Sequence, residues 1–322
     1  MPKVISLHIY PVKSCGGIAL QTATVSRTGF AFDRQWVVVD AETGNFLTQR
    51  QNPTLALITS ELPPEALLDG WGSLPPEAAL SLSAPGMDPL QVPLEREGEA
   101  LGAGKMRDVR VWEWRGPATD EGDAAAEWLS AVLGQRCRLV RHAGQEASSL
   151  DDPTRRRLDP HWVDPALRQE TAFADAFPFL LASAESLADL NRRLEKDLPM
   201  DRFRPNIVVE GLSEPWEEDK WAAVEVIGAK GPVSFKSVKP CARCQVTTVD
   251  QQTAVVGREP LPTLSRFRGK TLGWNEVDKT LSGCFFGWNL ITDGIGTTIS
   301  VGDTLTPSQW RDPRTLKPVT GN

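Results

Sequence analysis

The chain never runs far before a turn. Stretches rich in Val, Ile, Thr and aromatic residues are cut at close intervals by glycine or proline, of which the 322 residues hold 26 and 25. This cadence points to many short strands and short helices joined by turns. In the first hundred residues strands are expected at 4–10, along the alternating run 19–26, at 35–40 and at 55–59. Thr28-Gly29 and Glu42-Thr43-Gly44-Asn45 read as turns between them. Closely spaced short strands suggest a small barrel or sandwich. Weak strands at 79–83 and 90–94 interrupt a Pro- and Gly-rich stretch over 62–104, and a strand at 109–114 follows.

Helix signals come next. Thr119-Asp120-Glu121-Gly122-Asp123 offers cap residues ahead of a helix at 124–133, and Gly134 sits at its stop position. Trp128, Leu129 and Val132 would share the apolar face of that helix. After a strand at 136–141, residues 143–170 are polar and read as a long loop, with the Arg155-Arg156-Arg157 run solvated. Ser183-Ala184-Glu185-Ser186 opens a second helix with Leu187, Leu190 and Leu194 on one face. Strands are expected at 207–210, 222–227, 233–238, 285–290 and 297–301, a short helix at 260–268, and a closing turn at Val301-Gly302-Asp303-Thr304-Leu305. The fold class is mainly β with helices, an α+β chain.

A chain of this length builds one large or two medium domains. Its net charge of −7 argues against a nucleic-acid partner or an acidic membrane surface. The N-terminal stretch lacks the apolar core of a signal peptide, and no apolar run is long enough to cross a bilayer. Five cysteines at irregular spacing fit a reducing cytoplasm better than a disulfide framework.

The chemistry concentrates in Lys239-Pro240-Cys241-Ala242-Arg243-Cys244-Gln245-Val246-Thr247-Thr248-Val249-Asp250. Pro240 cannot sit in the middle of a ladder, so the cysteines are expected in a loop leading into a Thr-Thr-Val strand. A thiolate beside Arg243 suits a soft metal, because cations lower a thiol's pKa. Structural zinc would want a second pair of ligands, which Cys15, Cys137, Cys284 and His8, His142 and His161 do not form. A redox dithiol would want a following helix, and two packed thiols without chemistry remain a further reading.

Cationic residues gather at expected strand ends elsewhere. Lys13 and Ser14 precede the pair Gly16-Gly17, Arg34 follows Asp33, Arg50 lies in Gln49-Arg50-Gln51, and Arg204 and Asn206 flank Pro205. The spacing is not that of a Walker A loop. Together these groups suggest a site for an anionic, phosphate-bearing ligand.

At this point the chain resembles the MOSC-domain family, in the branch of the mitochondrial amidoxime-reducing components and YcbX-like bacterial proteins. The residues that carry the resemblance are Tyr10-Pro11-Val12-Lys13-Ser14, Asp33-Arg34-Gln35-Trp36, Ser186-Leu187-Ala188-Asp189-Leu190-Asn191, Phe203-Arg204-Pro205-Asn206-Ile207, Cys241-Ala242-Arg243-Cys244, Thr247-Thr248-Val249-Asp250 and Phe286-Gly287, in family order. The resemblance implies an N-terminal β-rich MOSC domain over about residues 1–118, and a C-terminal MOSC β-barrel with flanking helices over 119–322. It implies molybdenum cofactor (molybdopterin) held by Lys13, Ser14, Arg34, Arg204, Asn206 and Arg243, with Cys244 as the metal ligand and Cys241 as its neighbour. The implied reaction is reduction of small N-hydroxylated substrates. Asp175 reads either as a group for proton delivery near the metal or as a helix-flanking carboxylate. Electrons would come from a separate ferredoxin, flavodoxin or cytochrome b5-like protein and its reductase, because the cysteine spacing suits no iron–sulfur cluster and no dinucleotide fingerprint is present. A cofactor carrier without turnover and a persulfide carrier are the competing classes. One departure stands out: Ala176-Phe177 occupies positions where relatives carry small or polar residues.

Overall fold

The computed structural model describes residues 1–69, 74–94, 106–143, 158–159, 161–163 and 170–318. Its strands are β1 (Lys3–Ile9), β2 (Ile18–Leu20), β3 (Thr22–Ser26), β4 (Gly29–Phe30), β5 (Trp36–Asp40), β6 (Thr59–Glu61), β7 (Ala79–Ser83), β8 (Leu90–Pro93), β9 (Met106–Val111), β10 (Trp114–Asp120), β11 (Cys137–His142), β12 (Phe179–Ser183), β13 (Ile207–Glu210), β14 (Trp221–Gly228), β15 (Gly231–Ala242), β16 (Phe285–Ile291), β17 (Thr298–Ser300) and β18 (Thr304–Trp310). The α-helices are α1 (Pro64–Asp69), α2 (Asp123–Leu133), α3 (Ala184–Asn191), α4 (Leu261–Phe267) and α5 (Trp274–Val277). The chain is therefore mostly β with a few short helices.

Seven strands close a barrel in the order β13-β12-β16-β15-β14-β18-β1, and β1 returns to β13 through Leu7↔Ile207. Closure leaves no open edge in the ring. Only β12 and β13 run parallel, joined by a crossover that carries α3. Ser183 caps α3 by accepting from the Ser186 amide at 3.2 Å. The barrel is filled by Leu7, Ile9, Phe179, Leu181, Phe235 and Trp288, all buried in one cluster. A second sheet, β5-β11-β10-β9, packs Val37, Val39, Val109, Val111, Val140 and Phe173 into a smaller core. The two are laced at the end of β1, where the Lys13 amide donates to the Trp36 carbonyl at 2.8 Å. Among the described residues no helix is long and apolar enough to cross a membrane, which says nothing of membrane-spanning strands.

Several local expectations are corrected. The strand expected at 55–59 is a 3₁₀ turn over Pro53–Leu57, because Pro53 presets its first helical position; the strand starts at Thr59. The expected strand at 109–114 breaks at Trp112, whose φ of 55° turns β9 back into β10. The expected closing turn shrinks to Val301-Gly302, and β18 then runs to Trp310 and supplies a barrel strand. The helix at 124–133 forms, but Gly122 rather than a side chain caps it, and Asp120 ends β10. Gly134 takes the left-handed stop position with φ 66°. Most of the expected loop at 143–170, with Arg155, Arg156 and Arg157, lies outside the described residues.

The cysteine stretch departs most. Pro240 and Cys241 lie inside β15 rather than in a loop. β15 pairs with β14 only as far as Lys236 and beyond that has β16 alone beside it, with irregular register around Pro240. A proline is tolerated there because the second side of the strand has no ladder to break. The Thr-Thr-Val run is not a strand: residues Gln245–Thr248 form a 3₁₀ turn with Cys244 at its N-cap. The Thr247 and Thr248 hydroxyls donate back to the carbonyls of Cys244 and Gln245, which holds the chain in that turn against its β propensity.

Candidate functional site

One end of the barrel gathers the segment after β1, the start of β12, the residues before β13 and the end of β15. They enclose a cleft lined by Lys13, Ser14, Arg34, Arg204, Cys241 and Cys244 among others, whose enclosed part holds about 130 Å³. Among the described residues its lining carries five cationic side chains, Lys13, Arg34, Arg50, Arg204 and Arg243, against the single carboxylate of Asp175. In a chain of net charge −7 this is a local reversal of sign.

Two guanidinium groups share one aromatic ring. Arg34 and Arg204 lie 4.3 and 4.1 Å from the centroid of Tyr10, which is itself buried. Their surroundings differ. Arg34 donates to Asp33, to Asn206 Oδ1 at 3.1 Å and to the Arg204 carbonyl at 3.2 Å. Arg204 is 9% exposed, and among the described residues its one side-chain hydrogen bond goes to Gln251 Oε1, at 3.3 Å. Burial, with the Arg34 charge adding to it, pushes the Arg204 pKa below its ordinary value. Burial also raises the Asp33 pKa, against the pull of Arg34.

Asn206 acts as a staple. Its amide donates to the His8 carbonyl at 3.1 Å, and its Oδ1 accepts from both Arg34 and the Leu180 amide. One buried side chain thereby ties β1, β12 and the start of β13 to the arginine. Lys13 is committed too: its Nζ donates to the Phe173 carbonyl at 2.8 Å and to Asp175 Oδ1. The Asp175 carboxylate is 68% exposed and also accepts from Trp112 Nε1 at 3.0 Å. Arg50 completes this rim, 4.6 Å from the Trp112 ring.

The two thiols sit differently. Cys244 is exposed at the mouth of the cleft. Cys241 accepts from Arg243 Nη1 at 2.8 Å, so the guanidinium expected beside Cys244 is turned to its neighbour. Burial nevertheless pushes the Cys241 thiol above its ordinary pKa, with Arg243 pulling the other way. Arg243 Nη2 donates to the Phe203 carbonyl at 2.8 Å, while its Nε is buried without a partner. Cys15, Cys137 and Cys284 are buried thiols.

Three residues of the cleft hold a left-handed backbone without being glycine: Ser14 at φ 70°, Arg34 at φ 49° and Arg204 at φ 53°. Each such conformation costs of order 1–3 kcal/mol and persists where the surroundings enforce it, often at functional sites.

Comparison with known proteins places this geometry. A model of the MOSC N-terminal beta barrel domain matches residues 1–136, and one of the MOSC domain matches residues 168–306. The chain belongs to the MOSC family. Among curated proteins it is 35% identical over 271 residues to mitochondrial amidoxime reducing component 2 of Bos taurus, covering 82% of this chain and 72% of that one. It is 36% identical to the Rattus norvegicus component 2, with the same coverage. It is 35% identical over 310 residues to mitochondrial amidoxime-reducing component 1 of Homo sapiens, covering 93% of this chain and 81% of the relative.

All the residues singled out in the sequence, Lys13, Ser14, Arg34, Asp175, Arg204, Asn206, Arg243 and Cys244, line this one cleft. The odd residue Phe177 also lines it, with its ring buried among Leu158, Val163 and Ile291. Two contributors escaped the sequence reading. Trp112 looked like part of a strand, and Gln251 carried no signal of its own. Gln251 exchanges hydrogen bonds of 2.9 and 3.0 Å with Gln49, which in turn donates to the Ser14 carbonyl at 2.7 Å.

Proposed function

We propose that the cleft holds molybdenum–molybdopterin cofactor and that the chain reduces N-hydroxylated compounds, with electrons from a separate redox protein. The observation that carries this reading is Arg204, a buried guanidinium with no carboxylate paired to it among the described residues, close to the Cys241–Cys244 turn. A desolvated cation of this kind is costly unless an anion joins it. The unpartnered Arg243 Nε adds a second buried donor beside the same cleft. These groups fit the phosphate of a pterin, and an exposed thiol fits a soft metal that draws its other sulfur donors from the pterin. The relatives' names, amidoxime-reducing components, match the chemistry proposed.

When bound, the cofactor supplies the two-electron reducing couple. Converting an N–OH group to N–H consumes two electrons and two protons and releases one water. The chain's own residues divide the remaining work. Arg204 and Arg34 would hold the phosphate, with Ser14 and Asn206 lining the cleft beside them. Cys244 would be the metal ligand, and burial, which raises the Cys241 thiol above its ordinary pKa, keeps that neighbour neutral. Asp175, its Oδ1 held by Lys13 and Trp112 at the exposed rim, would take a proton from solvent and pass it inward. A ferredoxin, flavodoxin or cytochrome b5-like carrier and its reductase supply the electrons in a cytoplasmic setting.

The test is metal and pterin analysis of the purified protein, followed by benzamidoxime reduction with a chemical electron source. Bound cofactor and amidine product are expected. Protein that contains the cofactor and never turns over benzamidoxime or other N-hydroxylated compounds would instead be a carrier.

A further inference from the structure

A second hollow opens beside the cleft. It holds about 490 Å³ and is walled by the loop at Gln49 and Arg50, the 3₁₀ turn after Cys244, the hairpin closed by the Val249–Val256 bridge, and the start of α4. That volume falls in the range of ordinary small-molecule sites, which is roughly 300–1,000 Å³. The hollow adjoins the cleft at two places. Arg50 lines both, and Gln245 in its wall directly follows Cys244.

Its lining has two characters. Val249, Val256, Leu261 and Pro262 make an apolar wall, and Val256 keeps 56% of its surface exposed. Arg50 and Arg258 are its charged residues, and among the described residues lining it there is no carboxylate. The acids next to its lining residues in sequence have other partners. Glu259 accepts from the Thr263 amide and hydroxyl at the start of α4, and Asp250 accepts from Gln252, Thr253 and Arg202. Arg50 leans on the Trp112 ring at the junction, whereas Arg258 is exposed and has no ion pair among the described residues.

We infer that this hollow is the substrate's tail site, and that it takes a flat apolar body ending in a carboxylate paired with Arg258. The oxygen-bearing nitrogen then enters past Arg50 toward Cys244; this last placement rests on the reductase reading above. The substrate class is an amphipathic, anionic N-hydroxylated molecule rather than a small neutral one.

The experiment compares benzamidoxime with 4-carboxybenzamidoxime. Saturation-transfer NMR on cofactor-free protein reads binding, and steady-state kinetics on the loaded protein reads kcat/KM for each probe. The carboxylated probe should be favoured in both. Arg258→Ala should lower that preference by about five-fold and Arg258→Glu by tenfold or more, through KM rather than kcat, with the effect shrinking at high salt. Arg258 is exposed, so neither change threatens folding. Equal binding of the two probes to the native protein, or a preference untouched by Arg258→Glu, overturns the assignment. If neither probe is reduced while Arg258-dependent binding persists, the tail site stands and the reductase reading falls.

Discussion

Replacing Arg204 by alanine separates a binding group from a structural one. The two roles predict opposite results. Without the cofactor the Arg204 guanidinium is buried, repelled by Arg34 and donates one 3.3 Å hydrogen bond to Gln251 Oε1. Against that stand its contact with Tyr10, worth up to about 2 kcal/mol where desolvated. Alanine removes both the buried charge and the ring contact. It leaves the φ of 53° as strained as before, since only glycine relieves that conformation. Cofactor-free Arg204→Ala should therefore melt at or above the temperature of the native protein. Cofactor binding should suffer instead. A charge-assisted hydrogen bond contributes about 1.5–3 kcal/mol, which corresponds to roughly 10- to 150-fold weaker retention. The assay pairs thermal denaturation of cofactor-free protein with molybdenum and pterin content after extensive dialysis. A melting temperature lowered by several degrees with full cofactor content would refute the reasoning and make Arg204 a structural residue.

Three further outcomes follow from the same geometry. Cys244→Ser should keep the fold and abolish N-reduction, while Cys241→Ser keeps most activity; equal loss in both, measured at full cofactor content, would point to a dithiol site. Glu218→Gln should raise the melting temperature at pH 8 by about 3 °C, with the gap closing toward pH 5. Burial with the Asp219 charge raises the Glu218 pKa to about 7, so its contribution is complete below the ordinary glutamate range and lost as pH rises through about 7. Its Oε2 lacks a partner, as the amide of glutamine would, and a gap that widens toward acid would reverse the sign. The isolated protein should not oxidise NADPH or NADH with substrate present, and should gain that activity on adding a ferredoxin, flavodoxin or cytochrome b5-like carrier with its reductase; a stoichiometric flavin spectrum in the chain alone would contradict this.

Much of the fold was legible because burial and turn chemistry are local. Ser183 as a cap, Gly134 as a stop and the alternation along β3 each depend on a few neighbouring residues. What stayed hidden depends on partners far along the chain. That β1 closes on β13 is fixed by the pairing Leu7↔Ile207, two hundred residues apart, and no local pattern encodes it. The Thr-Thr-Val run has a strand's composition, yet its hydroxyls bond to the preceding carbonyls and the turn wins. Pro240 misled for a related reason: a rule about central strands was applied where β15 has already lost one neighbour.

In the site, residue types could be read and pairings could not. Lysine, arginine and cysteine announce their chemistry by identity, so each expected group was found lining one cleft. Which of them would be spent on one another was invisible. Lys13 meets Asp175 across 162 residues, and Arg243 turns to Cys241 rather than Cys244. Local propensity would put glycine at each left-handed position, yet Ser14, Arg34 and Arg204 occupy three of them. A glycine there would relax the backbone and erase the side chain. The chain keeps the side chain and carries the strain, and it does so three times around one cleft. Local rules are expected to fail at such a place, and on the proposed reading the requirement met there belongs to a bound anion and not to the fold.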